Sequence, residues 1–132
     1  MVPGSGDDKR LLGQLISEYF SSWSKPDLQA FQKCFHPRAS VYFVDPSGKL
    51  HSFQLDNFIE GEKKAHLLAA EPMVEKPTQS SITVSGRLAH AQVRWELHQG
   101  VVVITGTDYF TFIKTDRGWK IVSLVYEEDS RP

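Results

Sequence analysis

Cysteine is all but missing from this chain: Cys34 is the only one in 132 residues. No internal disulfide can form, so nothing in the sequence demands an oxidising compartment. Long apolar runs are missing too, and none approaches the roughly 18 residues that a membrane-spanning helix needs. Neither sign of charge is in excess, with 15 Lys and Arg against 16 Asp and Glu and a formal net charge of -1. That balance lacks the basic stripe that marks binders of nucleic acid or acidic membranes. Asparagine occurs once, as Asn57, and starts no glycosylation sequon. The opening MVPGSGDDKR carries no apolar core of the kind a secretory signal needs. The expectation is a cytoplasmic domain with neither nucleic acid nor membrane as partner.

Familiar catalytic and cofactor motifs are also missing. There is no Walker loop, no Gly-rich dinucleotide fingerprint and no nucleophile elbow. The five histidines, at 36, 51, 66, 90 and 98, offer no i, i+4 helical pair and no HxH strand pair. No metal site and no cofactor is therefore expected. Cys34 has no recognisable base partner and reads as a packed residue.

What remains is an ordinary globular composition, 40% apolar and 23% charged, at a length that suits one domain with a real core. Residues 1–7 read as a flexible leader, 8–128 as the domain and 129–132 as a tail. From Asp8 onward Leu12, Leu15, Ile16, Tyr19, Phe20 and Trp23 recur at three- and four-residue steps and predict a helix with one apolar stripe. Pro26 breaks it, with Ser24 and Asp27 placed as a capping box, and a short helix carrying Leu28, Phe31 and Phe35 ends near HPR. ASVYFVDPSGKLHSFQ predicts a hairpin, since Asp45, Pro46 and Gly48 hold favoured places of a type I turn. LDNFIEGEKKAHLLAA is helical in composition, and Pro72 and Pro77 mark an irregular link. Strands follow in SSITVS, RLAHAQVRWELHQ, VVVITGTDYFTFIKT and GWKIVSLVYEE. The strand from Val101 to Thr115 is long enough to need a bulge or bend, and Gly106 is its natural place. Helices followed by consecutive hairpin strands predict an α+β fold, about three helices on a strongly bent antiparallel sheet. The last strands are apolar on both faces, which predicts a homodimer through the sheet's outer face, with Leu124 and Tyr126 as candidate contacts.

ISEYFSSWSKPDLQAFQKCFHPRASVYFVDPSGKL at the front and TDYFTFIKTDRGWKIVSLVYEE at the back carry a resemblance to a known superfamily. Over residues 8 to 128 the chain resembles the nuclear-transport-factor-2-like superfamily, the cystatin-like α+β cone. Within it the chain is most similar to the branch named for lumazine binding, beside the small polyketide-cyclase-like domains. The resemblance implies helices wrapped by a bent sheet, a pocket inside the cone, and a dimer across the outer face. It covers isomerases, dehydratases, cyclases and non-catalytic binding domains alike.

Asp108 stands out, because strand interiors usually exclude Asp and a buried carboxyl must be hydrogen-bonded or have its pKa raised. By its place before YFTF it is similar to the oxyanion-hole Asp of ketosteroid isomerase, and Tyr19 is similar in position to that enzyme's catalytic Tyr. Asp45 is the carboxylate nearest to a general base, although the straight count puts Phe43 at that position. Trp95, Phe110 and Phe112 are expected as pocket walls. Asp108 is expected inside the cone near the Tyr19 hydroxyl, with a raised pKa. Arg94 and Glu96 read as a solvated face opposite Ala91, Val93, Trp95 and Leu97. Three functions stay open. They are a module binding a small, partly apolar ligand through Tyr19, Trp95, Asp108, Phe110 and Phe112; an isomerase- or dehydratase-type enzyme using Asp108, Tyr19 and Asp45; and a non-catalytic dimeric interaction domain with a filled cone.

Overall fold

The computed structural model describes residues 5–129. Helices α1 (Ser5–Ser24) and α2 (Leu28–Lys33) precede the hairpin β1 (Phe35–Val44) and β2 (Leu50–Gln54). Helix α3 (Leu55–Leu68) follows, and then four long strands: β3 (Met73–Ser85), β4 (Leu88–Gln99), β5 (Val102–Thr115) and β6 (Gly118–Glu128). Helix α1 begins at Ser5, three residues ahead of the expected start. The rest of the expected leader, residues 1–4, and of the tail, 130–132, lies outside the described residues.

The strands form one sheet in the order β2-β1-β6-β5-β4-β3. Every neighbouring pair is antiparallel except β1 and β6, which run parallel. The expected antiparallel sheet is therefore a mixed one. β1 is paired with β2 on one side only, and the last strand fills its other side after a connection long enough for a parallel crossover.

Three local expectations change with the packing. Asp27 alone caps α2, its side chain accepting from Ala30 N at 3.2 Å. The Ser24 hydroxyl instead ties the end of α1 to β3, accepting from Glu75 N at 2.9 Å and donating to Glu75 O at 3.2 Å. HPR belongs to β1, and Pro77 lies within β3 at a register shift between Pro77 and Gln79. A proline with no N–H is tolerated there because β3 is an edge strand.

Alternation sends Val93 and Trp95 on β4 and Asp108, Phe110 and Phe112 on β5 towards the helices, and an extra residue in β6 brings both Ile121 and Leu124 to the same face, where all are buried. The α1 stripe of Leu12, Ile16, Tyr19, Phe20 and Trp23 covers them, as its spacing predicts. Leu124 is fully buried on this inner face and Tyr126 lines the interior, so neither faces a partner. On the outer face Leu88, Val103 and Tyr109 are exposed, and Arg94 pairs with Asp129 and Thr107.

No bulge falls at Gly106, which pairs with Trp95 on one side and Glu128 on the other. The irregularity is five pairs further on, between Thr111 and Phe112, where β6 carries an extra residue. Gly106 is required for a different reason. A Cβ there would sit 2.2 Å from Trp95 Cζ2 and 2.3 Å from Glu127 O. Only glycine lets the indole lie against the strand.

Candidate functional site

One end of the cone is filled and the other is open. Phe31, Phe35, Phe110 and Phe112 occupy the filled end. Phe110 meets the Tyr19 ring edge-on at 5.1 Å, and Phe112 stacks on Phe110 at 5.5 Å. Ala91 and Ala89, opposite them on β4, leave room for these rings. Beyond Tyr19 the packing stops at a cavity of about 190 Å³.

Each wall of the cavity comes from a different element. Helix α1 supplies Tyr19 and Trp23, and α3 supplies Phe58, Glu62 and Ala65 on one helical stripe. Met73 and Glu75 come from β3, Trp95 and Leu97 from β4, Asp108 from β5, and Tyr126 and Glu128 from β6. Four carboxyls, two phenols and two indoles thus surround one small space, and among the described residues no Lys, Arg or His lines it.

Burial dominates the electrostatics of this space. Asp108 is 2% exposed, and its pKa is pushed well above the usual carboxylate range by burial, with the Glu62 charge adding to the effect. The Trp95 indole lies close enough to oppose that rise in part, yet neither Trp95 Nε1 nor Asp108 Oδ2 makes a well-formed hydrogen bond. Burial also raises Glu75 well above its usual range, with Asp108 and Glu62 contributing. Glu62 rises to about 7 through burial, which the Trp23 side chain partly opposes. Tyr19 is raised by burial first and then by Asp108, Glu75 and Glu62. Tyr126 follows the same pattern, with burial first. Low dielectric and mutual repulsion both favour the protonated acids, so near neutral pH the cavity is rich in O–H donors.

The expected residues separate into two groups. Tyr19, Trp95 and Asp108 share the cavity, although no hydrogen bond joins Tyr19 to Asp108 among the described residues. Phe110 and Phe112 do not line it; they are packed behind Tyr19 as part of the core. Asp45 is not in the site either. Its carboxylate is occupied in the β1–β2 turn, accepting from Ser47 N at 2.9 Å and Lys49 N at 3.0 Å, with His51 Nε2 2.9 Å away. The hydrogen bonds from Ser47 and His51 hold its pKa below the usual range, so it is a poor base. Glu62, Glu75 and Glu128 are the acids that sequence reasoning missed. Glu62 had a legible signal, falling four residues after buried Phe58 on the inner stripe of α3.

Among the described residues no group of three or more His, Cys, Asp or Glu side chains is arranged to hold a metal ion. No helix among them is long and apolar enough to cross a membrane.

Solved structures share this architecture over nearly their whole length. An NTF2-like family protein from Streptomyces avermitilis, described as a putative dehydratase, superposes with a TM-score of 0.82 at 14% identity. The match covers 97% of this chain and 100% of that one. An NTF-2 like protein of unknown function from Silicibacter pomeroyi gives 0.74 at 23% identity, covering 96% and 100%. One from Shewanella baltica gives 0.77 at 19% identity, covering 98% and 99%. At these identities they establish the fold, the cystatin-like cone, and nothing about chemistry. No curated relative matches the chain. The family model described as "Putative lumazine-binding" matches residues 7–127, almost the whole domain built above, and the chain belongs to that family.

Proposed function

We propose that this protein is a small-molecule-binding domain whose ligand occupies the cavity between Tyr19, Trp95 and Asp108. The observation that carries this reading is the pair of polar atoms left without partners on its wall, Asp108 Oδ2 and Trp95 Nε1, both buried. A buried polar group without a hydrogen bond costs about 1–3 kcal/mol, and a ligand that meets both atoms removes that cost. The family's description and the concave, partly apolar lining support the same reading. At about 190 Å³ the cavity suits a compound smaller than the drug-sized ligands of sites of roughly 300–1,000 Å³. The test is tryptophan fluorescence and calorimetry of the native chain and Asp108→Asn against small aromatic probes. Binding should weaken in the variant while its fold is kept. Equal binding by both proteins would remove Asp108 from the site.

One observation favours an enzymatic second reading, of the isomerase or dehydratase type. Glu62, with a pKa of about 7, shares the cavity with the protonated Asp108 and with Tyr19. A carboxylate poised near the working pH suits a general base, and two neutral O–H donors suit the polarisation of a carbonyl. Glu62 thus takes the role expected of Asp45. Loss of turnover in Glu62→Gln with ligand binding retained would support this reading over binding alone.

A homodimer through the outer face of the sheet is the partner reading. Exposed Leu88, Val103 and Tyr109 on that face support it. Cys34, buried as a free thiol, suits a reducing compartment such as the cytoplasm.

A further inference from the structure

We infer that the ligand of the cavity is a compact organic cation, an amine with an apolar body. The inference rests on the reading of the cavity as a binding site and names the chemical class that site takes. Its starting point is a charge imbalance with a geometric boundary. Glu62, Glu75, Asp108 and Glu128 all border one space of about 190 Å³, and among the described residues no basic side chain lines it. A buried Asp108 with half-buried glutamates around it must hold protons or meet a cation.

The geometry selects among cations. The carboxyls come from four different elements around the cavity and are not gathered tightly enough to ligate a single metal ion. They converge instead on a volume of molecular size. Between them lie the faces and edges of Trp23, Trp95, Tyr19, Tyr126 and Phe58. Aromatic walls attract an ammonium through the ring quadrupole, and more strongly when the pair is shielded from water. They also cover the apolar body of the ligand. The unpartnered Asp108 Oδ2, buried at the inner end, is an acceptor for an ammonium N–H. An anionic ligand meets no counter-charge among the described lining residues and adds to the repulsion of the acids already there.

Proton linkage follows from the same arrangement. The titratable groups facing the cavity are Tyr19 from α1, Glu62 from α3, Glu75 from β3, Asp108 from β5, and Tyr126 and Glu128 from β6. Glu62, raised to about 7, ionises within reach of neutral pH when a cation arrives. Binding therefore releases a proton below about pH 7, and affinity rises with pH through that range.

The experiment uses the whole native chain with three isosteric probes: phenethylamine, phenethyl alcohol and phenylacetate. Binding is followed by calorimetry and by tryptophan emission at about pH 6 and about pH 8. The amine stays protonated throughout, since alkyl ammonium groups titrate near the lysine value of about 10.4. The amine is expected to bind more tightly than the alcohol, the carboxylate is expected not to bind, and amine affinity should rise about tenfold between the two pH values. Glu62→Gln should abolish that rise while keeping the folded emission spectrum. Alcohol binding as tight as the amine's, or an amine affinity independent of pH, overturns the cation assignment and leaves the binding site standing. Failure of all three probes to bind overturns both.

Discussion

Replacing Glu62 by Gln should stabilise the protein at alkaline pH and leave it unchanged at acid pH. The Glu62 carboxyl is raised from its ordinary 4.5 to about 7 by burial, which the Trp23 side chain partly opposes. Between those two values the folded chain holds a proton that the unfolded chain has released. Stability must therefore fall as pH rises through this window, and it levels off above about 7 as far as Glu62 is concerned. At about 1.36 kcal/mol per pH unit, a rise from 4.5 to about 7 corresponds to about 3 kcal/mol of lost stability once the group is ionised. Water at the cavity mouth screens part of this, so about 2 kcal/mol is the working figure. A neutral Gln of the same shape removes the linkage. The assay is urea unfolding of both chains at several pH values from about 4 to 8, read by tryptophan emission with matched m-values. Glu75 and Asp108 titrate in both chains, and Glu62→Gln removes the charge that helps raise them, so the difference curve reports Glu62 together with its coupling to these two acids. A difference that stays flat across the range, or a variant less stable than the native chain at pH 8, refutes the reasoning.

Gly106→Ala should cost about 1–3 kcal/mol or more, because its Cβ has no place beside Trp95 and Glu127 O; thermal melting and a shifted Trp95 emission would register it, and an unchanged melting temperature would count against the packing described. Asp108→Asn should be tolerated or mildly stabilising at neutral pH, since a raised folded pKa means the native carboxyl loses stability as pH rises; a marked fall in melting temperature at pH 8 would contradict this. Ser24→Ala leaves Glu75 N and O without their side-chain partner and should cost about 1–3 kcal/mol, with faster hydrogen exchange confined to the start of β3 as its signature. Tyr109→Lys should shift sedimentation at micromolar concentration towards the 15.0 kDa monomer, whereas a mass unaffected by the change would move the interface elsewhere.

Periodicity made most of the fold legible. The α1 stripe, the DPSG turn and the inner face of β4 all follow from spacing and turn chemistry, and those residues occupy the places they predict. What spacing could not reach was the partner of each strand. Nothing in the sequence signals that β6 returns beside β1, because parallel pairing is decided by long-range packing and not by local pattern. Pro77 hid the first half of β3, since a proline inside a strand argues against one unless the strand is at an edge. That single misreading concealed Glu75. Asp108 was visible because a carboxyl among aromatic residues is anomalous. Phe110 and Phe112 share its face, yet they ended in the core because Tyr19, packed on Phe31 and Phe35, closes off their end of the sheet.

Two buried aspartates show why the cavity acids belong to a site and not to the scaffold. Asp8 sits under the end of the sheet, 2.9 Å from Lys114 Nζ and 3.1 Å from Trp119 Nε1. Those hydrogen bonds lower its pKa, as expected of an acid that holds elements together. Asp108 is equally buried, but it has an oxygen without a partner, acids for neighbours and a raised pKa. The same residue type in the same fold is thus satisfied in one place and left open in the other. Folding alone gives no reason to keep the second arrangement, since Asn at 108 would fill the same volume without the ionisation cost. Local rules are broken where function compensates for them, and unsatisfied groups with displaced pKa values gather at such places. Here Glu62, Glu75 and Asp108, all with raised pKa values, gather around a single cavity. The contrast is open to measurement: carboxyl titration by NMR should find Asp8 titrating below the ordinary carboxylate range and Asp108 well above it. An Asp108 that titrates with Asp8 would make both of them structural.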